Sequence, residues 1–392
     1  EVLAQTIDYA AWVSTLTFDE VETIYAKYQA ANANEAADLA EDFEAHFGDQ
    51  LDSIADVPRM VIVASHLDDS TERMIDFLTD SGTAAMSTDQ WAAYERARPA
   101  TSSTEEYHEF VALLQDVFGY RHILPTHQGR AAEHILSQIS IEPGQYVPGN
   151  MYVTTTKLHQ EMAGGIFADV IVDEAHDPTS NFPWKGNIDV SKLAALVDEH
   201  GAEKIAYVSF EHSVNMAGGQ PVSMDNMKEV HAYCSAQGIP VYFDATRVAE
   251  NACMIKLRDE RYADASIKDI LGEMMLYGDG CTVSGKKDFL INMGGVLAFR
   301  DDAGKAKQAE EMLRIYEGNV TDGGLPAADL AAITQGVREM LDERYIRARV
   351  KQTEYLGNLL LEAGIPIVQP PGSHAIFLDA RKFLPHVDQD EF

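Results

Sequence analysis

Three short apolar runs constrain the fold more than any other feature of the chain. Residues 168–172, 204–210 and 240–244 are rich in Val, Ile, Tyr and Phe and are too short for buried helices. Between them lie amphipathic stretches at 191–200 and 224–236. Strand, helix, strand at this spacing predicts a parallel sheet with crossover helices, an α/β fold. The Gly218-Gly219 pair and nearby Asn215-Met216 follow the second run, where a loop at the carboxyl end of a strand binds ligands in such folds.

The rest of the chain departs from that pattern. Residues 1–60 read as acidic, Ala-rich helices, with Leu16, Val21, Ile24, Tyr25 and Tyr28 at helical spacing. Residues 326–362 read as a long helical region, followed by candidate strands at 364–368 and 374–379. With 392 residues and about 150 per domain, two or three domains are expected. We expect an acidic helical arm over 1–75, a large α/β domain over 76–325 and a smaller α+β domain over 326–392, unfinished at Phe392.

Charge narrows the partners. Asp and Glu number 63 against 30 Lys and Arg, a formal net charge of -33. Such a surface repels phosphate backbones and anionic lipid, so neither nucleic acid nor membrane is an expected partner. The acids are spread along the chain, as on a solvated surface. Cys234, Cys253 and Cys281 form no Cys-x-x-Cys pair and sit among apolar neighbours, which predicts buried free thiols in a reducing cytoplasm. No run of about 18 apolar residues exists.

Three segments carry chemistry. Ser284-Gly285-Lys286-Lys287-Asp288 is a short polar loop ahead of an apolar run; alone, its lysine pair reads as solvated surface. Asp244 ends an apolar strand, and a carboxylate there must be paired or do work, because an isolated buried charge is very costly. Thr126-His127-Gln128-Gly129-Arg130 leads into a helix, and backbone amides at a helix start beside an Arg suit a phosphate. Pyridoxal 5'-phosphate (PLP) needs all three: an amine for a Schiff base, an acid for the pyridine nitrogen and a phosphate cradle. Lys286 beside Lys287 favours loss of the proton that the reactive amine must shed.

The motifs extend further. Leu78-Thr79-Asp80-Ser81-Gly82-Thr83, Pro125 to Arg130, Val214 to Ser223, Phe243 to Arg247, Glu250-Asn251-Ala252, Ser284 to Asp288 and Ser373 to Asp379 resemble the β-eliminating aromatic amino-acid lyases, the family of tyrosine phenol-lyase and tryptophanase. The resemblance runs from about residue 75 to the end and is closer to the phenol-lyase branch. It implies the aspartate-aminotransferase-like fold, PLP fold type I, in a homodimer or homotetramer acting on a small-molecule amino-acid substrate. It also implies roles. Lys287 would form the Schiff base and carry the α-proton, Asp244 would pair with the pyridine nitrogen, and Asn215 and Arg247 would hold the phenolic oxygen. Gln128, Gly129, Arg130 and Ser284 would hold the phosphate, with Lys286 beside it. Thr79 and Ser81 would meet the substrate carboxylate, His374 would lie near the substrate, and Gly82 and Asn292 would offer carbonyls to a monovalent cation such as K+.

Two residues break the family pattern. Thr101 stands where the family has the Tyr that protonates the leaving group, and a Thr hydroxyl is far too weak an acid for that work. Val153 replaces the Phe that stacks on the pyridine ring. Tyr94 and Tyr107 lie nearby but out of register, and the family's carboxylate-binding Arg falls beyond Phe392. The expectation is β-elimination from an amino acid. The alternatives are a PLP enzyme of another type (C–S lyase, aminotransferase or decarboxylase) or a catalytically degenerate subunit. His127 is expected to stack or pack, and His159, His176 and His212 to be surface or satisfied core residues without metal-ligand spacing.

Overall fold

The protein is described by a computed structural model covering residues 86–100 and 102–383. The helices expected over 1–60, together with Thr79, Ser81, Gly82 and Thr101, lie outside the described residues.

A seven-stranded sheet forms the frame. Its strands are β1 (His122–Thr126), β2 (Tyr146–Gly149), β3 (Ile166–Asp169), β4 (Val208–Glu211), β5 (Val241–Asp244), β6 (Gly280–Ser284) and β7 (Gly295–Phe299). The order is β1-β7-β6-β5-β4-β2-β3. Strands β3, β2, β4, β5 and β6 run parallel, while β7 is antiparallel to both β6 and β1. The expected parallel sheet is therefore a mixed one. The β6–β7 link, residues 285–294, carries no helix, so these strands are joined without the crossover that a parallel pair requires.

The helices that matter for the site are α1 (Gly129–Ser140), α2 (Thr154–Met162), α3 (Val190–His200), α4 (Met224–Gln237), α5 (Val248–Arg258), α6 (Ala327–Met340) and α7 (Glu343–Glu362). Their ends follow local chemistry. Asp189 caps α3 through Ser191 N and Lys192 N, and Ser223 caps α4 through Asn226 N. Helix α4 stops at Gly238 with φ +69°, a left-handed residue at no steric cost.

Successive strand residues point to opposite faces of the sheet. Tyr242 joins one apolar layer with Ile135, Leu136 and Leu297, while Phe243 joins the other with Val208, Phe210 and Val283. Cys234, Cys253 and Cys281 are free and buried, as expected. The predicted helices at 191–200 and 224–236 correspond to α3 and α4, and the long helical region is two helices, α6 and α7. The candidate strands at 364–368 and 374–379 reduce to a single antiparallel bridge, Ile367 to Leu378. Pro366, Pro370 and Pro371 lack the amide hydrogens that a longer ladder would use.

Candidate active site

The carboxyl ends of β4, β5 and β6 converge, and each ends in a polar residue: Glu211, Asp244 and Ser284. Beside them lies the start of α1. An added Cβ on Gly129 would sit 2.6 Å from Ser284 Cβ. Only a glycine lets the start of α1 come this close to Ser284, and amides at a helix start suit an anion. Gln128, in an extended conformation at the helix start, bridges Gly294, and its Nε2 meets His127 Nε2 at 2.7 Å. His127 is held in turn by Glu317, through its ring Nδ1 and through its backbone amide at 3.1 Å. It thus holds the Gln128 side chain rather than merely packing.

Lys287 Nζ donates to Ser284 Oγ at 3.1 Å, and Ser284 N donates to Thr246 Oγ1 at 2.9 Å. Lys286 and Lys287 are half-buried rather than solvated. Asp244 Oδ1 accepts from Thr246 N at 3.0 Å, which fixes the carboxylate at the strand end. The start of α1, Lys287 and Asp244, separate in sequence, are therefore tied through Ser284 and Thr246.

A second set of contacts lies behind this one. Asn215 begins a 3-10 turn, Asn215–Ala217, that leads into Gly218 and Gly219 with φ +87° and +73°. Its side-chain oxygen meets His374 Nε2 at 3.0 Å, and His374 Nδ1 lies 3.0 Å from Glu250 Oε2. Gly372 permits this approach, because a Cβ there would sit 2.0 Å from the Gly218 carbonyl oxygen. Arg349 on α7 pairs with Glu250 at 2.6 Å and with Asp288 at 3.5 Å. Asp288 Oδ2 accepts from Ala249 N at 2.7 Å. Burial alone would push Glu250 up, but His374, Arg349 and Arg247 outweigh it and hold the carboxyl at about 2. Burial and Arg247 push His374 below the usual histidine range. His374 thus orients Asn215 at a place where sequence reasoning expected a substrate contact.

The space in front of Asp244 is a small, partly open cavity. Tyr152, Val153, Lys157, Phe167, Glu211 and Asp244 are among its walls. Glu211 is buried, and one oxygen, Oε1, accepts from Asn215 N at 3.0 Å. The other, Oε2, has no partner. Burial and the neighbouring Asp244 push Glu211 up to about 8. Glu133 on α1 accepts from Thr156 Oγ1 at 3.0 Å, and burial and Asp244 push it up to about 7, with Lys287 pulling the other way. Sequence reasoning gave roles to neither acid. The signal for Glu211 was the one used for Asp244: a carboxylate ending an apolar strand.

Other expectations are corrected. His212 is buried against Phe243 with ring centroids 4.4 Å apart, and neither ring nitrogen has a partner. It is neither a surface nor a satisfied histidine, and burial holds it down at about 3. His159 is half-buried with Nδ1 unpartnered, and His176 is an exposed neighbour of Asp169 at 3.6 Å. Tyr107 is a half-buried phenol raised by burial and by Glu310, an acid outside the site. No cluster of three His, Cys, Asp or Glu suited to a metal occurs among the described residues. Nor does any described helix have the length and apolarity to cross a membrane.

The sheet order with its antiparallel β7 is that of PLP fold type I. Solved structures of the same fold include a serine palmitoyltransferase of Sphingomonas wittichii (TM-score 0.54, 14% identity, 76% of this chain and 70% of that one). An aminotransferase of Staphylococcus aureus is as near (TM-score 0.54, 15% identity, 74% of each chain). At residues 76–388 the sequence matches the beta-eliminating lyase family, and the chain belongs to that family of PLP-dependent lyases. Tyrosine phenol-lyases of Symbiobacterium sp. (strain SC-1) and Fusobacterium nucleatum are each 53% identical over 323 residues, 82% of this chain and 70% of theirs. A tyrosine phenol-lyase of Nostoc punctiforme is 52% identical, covering 82% of this chain and 69% of its own length.

Proposed function

We propose that this lyase cleaves a Cβ–heteroatom bond, best a Cβ–S bond, of an amino acid and releases pyruvate and ammonia. The observation that carries the cofactor part of this reading is the approach of Gly129 to Ser284, 2.6 Å from a would-be Cβ, which brings a helix start to the loop that bears Lys287. The donor set fits PLP. Gly129, Arg130, Ser284 and Gln128 would hold the phosphate with Lys286 beside it, Asp244 would face the ring nitrogen, and Asn215 and Arg247 would face the phenolic oxygen. When bound there, PLP supplies an electron sink for charge developing at the substrate α-carbon.

The chain's own groups do the rest. Asp244 holds the proton on the ring nitrogen. Asn215 is oriented for its task by His374, which is itself held by Glu250. Lys287 takes the proton from the α-carbon, close to Ser284, to which its amine donates. Thr79 and Ser81 would bind the substrate carboxylate, and Gly82 and Asn292 would lend carbonyls to a monovalent cation such as K+. We read 76–325 as the cofactor domain, 326–392 as a smaller one, and the protein as a cytoplasmic homodimer or homotetramer.

The choice of leaving group follows from Thr101. A phenol or an indole carbanion must be protonated at carbon as it leaves, and a missing general acid costs about 10²–10⁴-fold. A thiolate leaves unaided. One preparation, assayed for pyruvate from tyrosine, tryptophan and an S-alkyl cysteine, is expected to turn over the cysteine derivative fastest. Efficient phenol release from tyrosine would refute the Cβ–S preference and would mean that another group supplies the acid.

A further inference from the structure

Two carboxyls line the cavity, Asp244 and Glu211, and the proposed function leaves Glu211 unused. Its position is tightly fixed. Asn150 clamps its backbone, Nδ2 donating to Glu211 O at 2.9 Å and Oδ1 accepting from Glu211 N at 2.8 Å. Oε1 accepts the Asn215 amide at 3.0 Å. Glu211 pairs in register with Asp244 on the neighbouring parallel strand, and both line the same cavity. Yet Oε2 is buried without any partner. A buried carboxylate oxygen left unpaired is expensive, whereas a neutral carboxyl has a hydrogen to give and far less charge to solvate.

The surrounding charges decide which form is present. Asp244 on β5 and Glu133 on α1 oppose ionisation of Glu211, Arg247 after β5 favours it, and Lys157 on α2 lies across the cavity. Burial adds to the acids, and the balance favours the neutral form at pH 7.

We propose that Glu211 is a positioning residue for Asp244: a neutral acid whose Oε2 hydroxyl donates into the space the two carboxyls share, so that the pair presents a single negative charge, on Asp244, to the ring nitrogen of PLP. The proposal rests on the reading that Asp244 faces that nitrogen. A purely structural role for Glu211 would be met by the Asn215 contact alone, and a glutamine keeps that acceptor. Glu211→Gln therefore removes the ionisation and keeps that acceptor.

Infrared spectroscopy of the full-length protein, with and without PLP, tests this. Without PLP, the parent-minus-Glu211→Gln difference spectrum at pH 7 is expected to contain a carboxylic-acid C=O stretch that titrates away near pH 8, and Glu133→Gln should retain it. In Asp244→Asn the midpoint of that band should fall, because the neighbouring negative charge is gone. Absence of the band, or a midpoint that Asp244→Asn leaves unmoved, overturns the proposal. Loading with PLP should also lower the midpoint in the parent, since a ring cation then faces the pair. If Asp244→Asn moves the midpoint and PLP does not, the carboxyl pair stands and the placement of the ring nitrogen at Asp244 is what fails. Thermal unfolding without PLP gives an independent readout. A carboxyl raised from 4.5 to about 8 loses its stabilising contribution as pH climbs through that window. The gain in melting temperature on Glu211→Gln should thus grow from pH 4.5 to 8 and then level; a pH-independent difference counts against the proposal.

Discussion

The two ends of the candidate site are built in different ways. At the α1 end, Gln128, Gly129 and Arg130 are consecutive, and the contact with Ser284 depends on backbone approach through a missing side chain. At the Asp244 end, Glu211, Asp244, Asn215, Glu250, Asp288, Arg349 and His374 come from scattered parts of the chain and meet through paired charges and hydrogen bonds. A backbone-built cradle is broken by adding atoms, and a side-chain network by taking a partner away.

The largest effect should therefore come from the network. Arg349→Met leaves Glu250 and Asp288 buried without their shared cation, and breaking such a buried pair costs about 3–5 kcal/mol. Chemical denaturation would read this as a lower midpoint. The pH dependence has a definite sign. Glu250 is held at about 2 against an ordinary 4.5, so its contribution is complete above pH 4.5 and is lost as pH falls from there to 2. The variant should show a shallower loss of stability over that interval; an equally steep acid limb would mean that His374 and Arg247 hold Glu250 ionised without Arg349.

The cradle should respond to smaller changes, and in the opposite direction of size. Gly129→Ala forces a Cβ against Ser284, an overpacking cost of about 1–3 kcal/mol, and should weaken PLP binding measured by fluorescence titration. Ser284→Ala removes one donor and should cost only about 1 kcal/mol. If Ser284→Ala proves the more damaging of the two, the cradle is held by side chains and the contrast between the ends disappears.

The same contrast explains what was legible in the sequence. Residues 126–130 and 284–288 are local motifs, and the structure links them through Ser284. Asp244 was readable because a carboxylate ended an apolar strand. Glu211 ends one too, but its significance depends on the register of β4 against β5, which no local pattern encodes. The Glu250–Arg349–Asp288 network was hidden for the same reason, since α7 supplies Arg349 from far along the chain. The strands expected after residue 363 failed where prolines remove the amides a ladder needs. His374, expected near the substrate, meets Asn215 through Nε2.

The account as a whole stands on Lys287 being the residue that PLP modifies. Borohydride reduction of the PLP-loaded protein, followed by intact mass and peptide mapping, tests that directly. One pyridoxyl group per chain on Lys287 is the predicted result. The label on Lys286, or no label on a protein shown to bind PLP, would contradict it.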